Sequence, residues 1–169
     1  MSDLHFEPTD PVDLMFQLNV NEFQNTTSLQ MILQDAVISE RERADYDAQV
    51  KRYGEICRGD DYDAGEEILP TRDDVAAVYT FLRKESRVGH TSFPMRRLMG
   101  QIRSFDGKAF NYIKLKFIVR ILEELQICGV SEPVPDHFLF DIFYSAKTNL
   151  EKSSILHRLR SQQRKNNDR

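Results

Sequence analysis

The residue types best suited to metal chemistry lie together in the acidic segment Asp60-Asp61-Tyr62-Asp63-Ala64-Gly65. Paired carboxylates can hold Mg²⁺ or Mn²⁺, and phosphodiester hydrolysis often uses two such ions. A metal site needs its carboxylates fixed, but no apolar run that could form a strand precedes this segment, and Glu66-Glu67 follow it. Because like charges crowd together in this way in disordered segments, we interpret the segment as a solvated linker.

The histidines and cysteines also lack the spacing of a catalytic or metal site. No two of the four histidines lie within five residues of each other, and none pairs with a cysteine at zinc-ligand spacing. The sequence contains neither a glycine-rich phosphate loop nor a nucleophile elbow. Two distant cysteines do not suggest a disulfide framework, which places the protein in a reducing cytoplasm. We therefore expect no catalytic residues, no metal and no cofactor in this chain.

The charges are arranged in blocks along the 169 residues, whose net charge is −4. Residues 1–39 hold six acids and no Lys or Arg, whereas residues 83–120 hold ten bases and two acids. Residues 121–146 are again acidic, and residues 147–169 are basic. A basic block is typical of a protein with a phosphate-rich partner, although a solvated helical face gives the same pattern. No apolar run approaches the ~18 residues of a membrane helix, so we expect no membrane contact.

The predicted third helix of the C-terminal part concentrates the residues best suited to nucleic-acid binding. Tyr112, Lys116 and Arg120 fall on one outward stripe at spacing four. A ring and two cations in this arrangement can stack on a base and neutralise two phosphates. The alternative is a solvated face closed by salt bridges, since Glu123 lies near the stripe and Glu124 can pair with Arg120. Three arginines of the preceding helix favour the nucleic-acid contact: Arg96, Arg97 and Arg103.

The N-terminal part is predicted to be a β-hairpin over residues 12–38. Apolar and polar residues alternate from Val12 to Val20, which indicates a strand with one buried side. The pattern repeats from Leu29 to about Ile38, and Asn25 between the two strands suits a tight turn. Because an isolated hairpin is marginal in water, this one either packs on the helices that follow or belongs to a larger sheet.

Helical spacing of apolar residues predicts the elements that would position the basic residues. The first helix covers about 40–57 and is followed by an acidic linker with two glycines. Three further helices begin near Thr71, Pro94 and Ala109, and a second hairpin and a last helix follow them. This order of three helices and a hairpin is that of a winged helix domain, whose third helix often contacts nucleic acid.

Several motifs occur in the order found in one family of nucleases. The runs LNVNEF at residues 18–23 and SLQMILQD at residues 28–35 resemble the closing strands of the OB-fold in RecJ-like exonucleases of the DHH phosphoesterase family. The runs LPTRDD at residues 69–74 and YTFLRK at residues 79–84, together with residues 149–159, resemble the C-terminal extension of such enzymes from Gram-positive bacteria. Together these motifs cover most of the chain.

The resemblance implies a C-terminal region of an enzyme that degrades single-stranded DNA from 5′ to 3′. The divalent metal of that enzyme, Mn²⁺ or Mg²⁺, would be held by aspartates and histidines upstream of this region, and those motifs are absent here. The family's turn carries a glycine and basic residues after its aromatic residue, whereas Asn25, Thr26 and Thr27 stand here. In the hairpin, the resemblance therefore implies only Phe23 as a DNA contact.

We accordingly expect an α+β chain with three parts. Residues 1–39 would be the closing strands of an OB-fold, residues 40–68 a helix and acidic linker, and residues 69–169 a winged-helix-like domain with a basic tail. Its function would be to bind or guide single-stranded DNA in repair and recombination, or to dock a helicase, a single-strand-binding protein or the remainder of the parent enzyme. One alternative is a protein-interaction module that binds through acidic segments 40–74 and 121–146. Another is a free-standing winged-helix regulator of duplex DNA.

Overall fold

The computed structural model describes residues 12–23, 26–59, 65, 67–143 and 149–167. The chain divides into two compact units, Met1–Asp47 and Ala48–Arg169. Both sheets are antiparallel, so the predicted α+β class is confirmed at that level. No helix in the described ranges is long and apolar enough to cross a membrane.

The first unit contains the predicted β-hairpin. Strand β1 (Val12–Phe23) pairs with β2 (Thr26–Ile38) from one end to the other, with an irregularity after Met15. The strands are longer than the alternation alone indicated, and the proposed turn residue Asn25 lies outside the described residues. Helix α1 (Glu40–Arg58) follows directly and continues into the second unit.

One face of the hairpin is apolar and the other is largely polar. The cross-strand pairs Leu14–Ala36, Phe16–Leu33, Leu18–Met31 and Val20–Leu29 all lie on the apolar face. The seven large side chains of this face are between 50% and 70% exposed. The prediction that this side is buried is therefore wrong for the unit by itself, because two strands cannot cover a face that they both form.

In the described residues, the second unit contains the end of α1, four further helices and a three-stranded sheet. Helix α2 (Arg72–Arg87) is followed by the short strand β3 (Ser92–Pro94), then by α3 (Met95–Asp106) and α4 (Tyr112–Glu124). Strands β4 (Cys128–Val134) and β5 (His137–Ile142) form the second hairpin, and the sheet order is β3-β5-β4. A 3₁₀ turn (Leu150–Lys152) precedes the last helix, α5 (Ser154–Asn167).

The Thr-x-x-Asp pattern at residues 71–74 predicts a capping box at the start of α2, and the structure confirms it. Thr71 caps α2: the Asp74 amide donates to Thr71 Oγ1 at 3.1 Å, and the Thr71 amide donates to Asp74 Oδ2 at 2.9 Å. Helix α3 ends at Gly107, whose left-handed φ of 74° suits a residue without a Cβ. Strand β3 was not predicted, because three residues are too few for a visible alternation.

Helix α4 lies at the centre of the second unit. Nine of its thirteen residues are buried, and these include Leu115, Phe117, Ile118 and Ile121. The second half of α1 packs on α4: Tyr53 lies 5.1 Å from Phe117 between ring centroids, and Ile56 is buried. A helix that is apolar on nearly all sides is one that its neighbours enclose.

Candidate nucleic-acid interface

Tyr112 and Lys116 are buried in the structure, and the prediction that they face outward on α4 is wrong. The two residues are 2% and 5% exposed. The stripe at spacing four is present, but α1 and the β4–β5 hairpin cover it. The Tyr112 amide donates to Gln49 Oε1 of α1 at 2.8 Å, and its hydroxyl donates to Asp136 Oδ1 at 2.6 Å. Neither side chain is presented to a base or a phosphate.

Lys116 is held in a compact charged and aromatic cluster. Its Nζ donates to Glu132 Oε1 at 2.9 Å and to Asp136 Oδ1 at 3.3 Å. The same nitrogen lies 4.4 Å from the centroid of Phe138 and 5.7 Å from that of Tyr112. Two carboxylates and two aromatic rings satisfy a cation that would otherwise be costly to bury.

The β4–β5 hairpin brings both carboxylates to Lys116. Glu132 lies where the strand register shifts between Ser131 and Val134, and its carboxylate also accepts from the Asp136 amide at 2.8 Å. Asp136 follows in the turn with φ of 59°, a conformation that Asp tolerates better than most residues. The irregular strand and the left-handed turn therefore aim two acids inward.

Arg120 is the most accessible member of the predicted stripe. Its side chain is 41% exposed, and it pairs with Glu123 at 2.9 Å and with Glu132 at 3.7 Å. The hydrogen bond to Glu123 raises the pKa of Arg120 above its ordinary value, although burial opposes it. For the neighbouring Tyr53, by contrast, burial raises the pKa, and its hydroxyl stays neutral. These contacts correspond to the alternative of a face closed by salt bridges.

The three predicted arginines of α3 lie on two flanks of that helix. Arg96 and Arg103 are seven residues apart and share one flank, while Arg97 lies on the other flank with Gln101 and Phe105. Arg103 is exposed, whereas Arg96 and Arg97 are half-buried and each has an interaction partner. Phe23, the proposed contact in the first hairpin, ends β1, and its side chain lies outside the described residues.

Further exposed cations stand on α2 and were not singled out from the sequence. Arg83, Lys84 and Arg87 occupy the side of α2 opposite Val78 and Leu82. Within the described ranges, no carboxylate lies at ion-pair distance from Lys84, Arg87 or Arg103. The outward stripe of α2 could have revealed them, because Val78 and Leu82 mark the core side of the helix in the sequence. We call Arg83, Lys84, Arg87 and Arg103 the α2–α3 cations.

The residue types considered for metal or thiol chemistry form no site in the part of the chain that is described. No group of three His, Cys, Asp or Glu side chains is placed to hold a metal ion there. The acidic residues 60–64 lie outside that part. Cys57 is exposed, and burial raises the pKa of the Cys128 thiol to about 12, so that this thiol is protonated at neutral pH.

The acids of segment 121–146 are largely engaged within the unit. Glu123, Glu132 and Asp136 face Arg120 and Lys116. Glu124 accepts from the Ser153 hydroxyl at 2.6 Å and from the Ser154 amide at 2.9 Å, and so it caps α5.

Comparisons with protein-family models, with curated proteins and with solved structures found no match.

Proposed function

We propose that this chain is a non-catalytic C-terminal region of a RecJ-like 5′–3′ exonuclease, which binds or guides single-stranded DNA in the cytoplasm during repair and recombination. The α2–α3 cations carry this proposal. All four are exposed, and three of them, Lys84, Arg87 and Arg103, have no ion pair within the described ranges. Cations of this kind release counterions from nucleic acid when they bind phosphate.

The architecture of the second unit supports a nucleic-acid role. The order α2-β3-α3-α4-β4-β5 and the sheet order β3-β5-β4 are typical of a winged helix domain. The contact would not use the third helix of that arrangement, since α4 is enclosed. It would instead use the surfaces of α2 and α3.

The first hairpin supports an origin in a larger sheet. Seven large side chains at roughly 100 Å² each give an exposed apolar area near the ~800 Å² that one partner buries in a standard interface. The hairpin strands would be the closing strands of an OB-fold, and the remainder of the parent enzyme would cover the apolar face. No Lys or Arg occurs in residues 12–38, so this unit is not the phosphate contact.

Fluorescence anisotropy with labelled oligonucleotides tests the DNA role. We expect the chain to bind single strands in preference to duplex, with an affinity that falls steeply as salt rises. The variant Arg83→Gln/Lys84→Gln/Arg87→Gln should bind more weakly, and its salt slope should be smaller by about 2, since each single-strand phosphate contact contributes roughly 0.7. No binding at tens of micromolar protein in low salt would refute the role.

A matched control removes the same charge from a different surface. Three cations of α1 serve this purpose: Arg41, Arg43 and Lys51. Their joint replacement by Gln changes the net charge equally, so a similar loss of affinity in both variants would show only a general effect of charge.

A protein-interaction module is the second candidate function, and the apolar face of the first hairpin is the observation that favours it. In this case a helicase or a single-strand-binding protein, rather than the remainder of the enzyme, would cover Leu18 and Met31. The variant Leu18→Thr/Met31→Thr should then weaken capture of the purified partner and leave DNA affinity unchanged. Equal partner binding by the variant and the parent chain would exclude this face as the docking surface.

A further inference from the structure

An exposed aromatic ring lies beside Lys84, one of the α2–α3 cations. Phe105 occupies the last turn of α3 and is 38% exposed. Its ring centroid lies 5.7 Å from that of Phe81, at an interplanar angle of 63°. Lys84 Nζ of α2 stands 4.8 Å from the centre of the Phe105 ring. A cation and an exposed ring therefore meet at the place where the ends of α2 and α3 come together.

Buried aromatic rings of the core hold the Phe105 ring in position. Phe81 contacts Phe93 at 5.9 Å, Phe93 contacts Phe140 at 6.2 Å, and these three rings are buried. The contacts of Phe81 are edge-to-face and that between Phe93 and Phe140 is tilted, and such packing restrains each ring against its neighbour. Phe105 is thus the exposed end of a chain of rings that begins in the core, rather than a mobile surface side chain.

The surroundings of Phe105 include basic and apolar side chains and one acid that neighbours it in sequence. Val88, the residue that follows α2, is exposed. Arg87 lies one turn beyond Lys84, while Asp106 is the acid next to the ring in sequence. Positive charge beside an accessible ring is the combination that non-specific single-strand binders use.

We propose that Phe105 is a stacking platform for one unpaired base, with Lys84 and Arg87 on the adjacent phosphates. This inference rests on the single-stranded DNA role proposed above and names its binding residue. Only an unpaired strand offers the face of a base to the ring, because duplex bases are already stacked on each other. On binding, the Lys84 ammonium exchanges its contact with the ring for a phosphate oxygen.

The chain contains no tryptophan, which gives a direct optical test. Phe105→Trp places a single indole at the platform, and stacking on a base should quench its fluorescence as single-stranded oligonucleotide is added. Phe143→Trp is the control, since Phe143 is 42% exposed and its amide donates to Ile127, beside the β4–β5 hairpin. Quenching of the first indole and not of the second supports the platform.

A second variant measures the energetic effect without a new ring. Phe105→Leu keeps an apolar side chain on Phe81 and removes the aromatic face, and we expect the Kd for single-stranded DNA to rise roughly 5- to 20-fold. The salt slope should not change, because no cation has been removed. An oligonucleotide of abasic sites should bind the parent chain and the variant equally.

The two proposals fail in different ways. If the chain binds single strands and the α2 charge variant binds weakly, but Phe105→Leu stays within twofold of the parent chain, the platform is refuted and the DNA role stands. An unquenched Phe105→Trp indole in a chain that binds would refute the platform as well. If the parent chain binds no single strand in low salt, the DNA role itself is refuted.

Discussion

Lys116 provides the sharpest test of how α4 is placed. The substitution Lys116→Ala leaves Glu132 and Asp136 without their common cation and opens a space beneath three rings, those of Tyr53, Tyr112 and Phe138. Breaking a buried ion pair by removing one partner costs about 3–5 kcal/mol. The two carboxylate side chains are about a quarter exposed, so water recovers part of their solvation. We therefore expect a loss near the lower limit, about 3 kcal/mol.

Urea denaturation followed by far-UV circular dichroism measures this loss, since the helical signal comes largely from the second unit. Lys116→Met should lose less, because its unbranched chain keeps the packing under the rings and removes only the charge. Lys152→Ala, in an exposed 3₁₀ turn, should stay within about 0.5 kcal/mol of the parent chain. If Lys116→Ala kept the parent stability and lost DNA affinity, the lysine would be a surface phosphate contact and not a buried residue.

The remaining predictions concern the helix caps and the first hairpin. Glu124→Gln should lower stability by about 1 kcal/mol in the same assay, since the charge that caps α5 is lost; an unchanged midpoint would contradict the cap. Burial favours a higher pKa for Asp74, but hydrogen bonds from Thr71 and the charges of Lys114 and Lys108 outweigh it and hold the pKa below its usual value. Its contribution to stability should therefore be present above about pH 4 and be lost on further acidification. Asp74→Asn should be less stable than the parent chain at pH 7 but not at pH 2. An equal difference in stability between variant and parent at the two pH values would contradict this prediction. Leu18→Thr/Met31→Thr should reduce self-association measured by light scattering if the apolar face is exposed in solution, and an unchanged particle size in a chain that associates would exclude this face.

The elements were readable from the sequence because their signals are local. The alternation from Val12 to Val20 predicts a strand, and the Thr-x-x-Asp pattern of Thr71 and Asp74 predicts a capping box. Both patterns depend on neighbouring residues alone, and the structure confirms both. In the sequence, Ser104-Phe105-Asp106-Gly107 is typical of a turn, but residues 104–106 continue α3 and Gly107 ends it. Boundaries of this kind depend on which residue adopts the left-handed conformation.

The placement of the candidate site could not be predicted, because it depends on contacts between distant segments. By residue type, Tyr112 and Lys116 form a polar stripe that suits a solvated face. They are buried because Glu132 and Asp136, sixteen and twenty residues after Lys116, supply the opposite charge. Nothing in the periodicity of α4 shows this pairing, since a buried lysine with partners and an exposed lysine look alike in sequence.

The acids and bases of the second unit have different surroundings, and this difference favours a phosphate-binding surface over an acidic docking surface. Among the acids of segment 121–146, Glu123, Glu124, Glu132 and Asp136 are engaged with cations or with the start of α5. A protein partner that bound them would have to displace those contacts, at the cost of leaving Lys116 buried without a counter-charge. Lys84 of α2 carries no such cost, because it would exchange only a ring contact for a phosphate. The basic surface around Lys84 can therefore exchange its present contacts for a new partner at a lower cost in free energy than the acidic segment can.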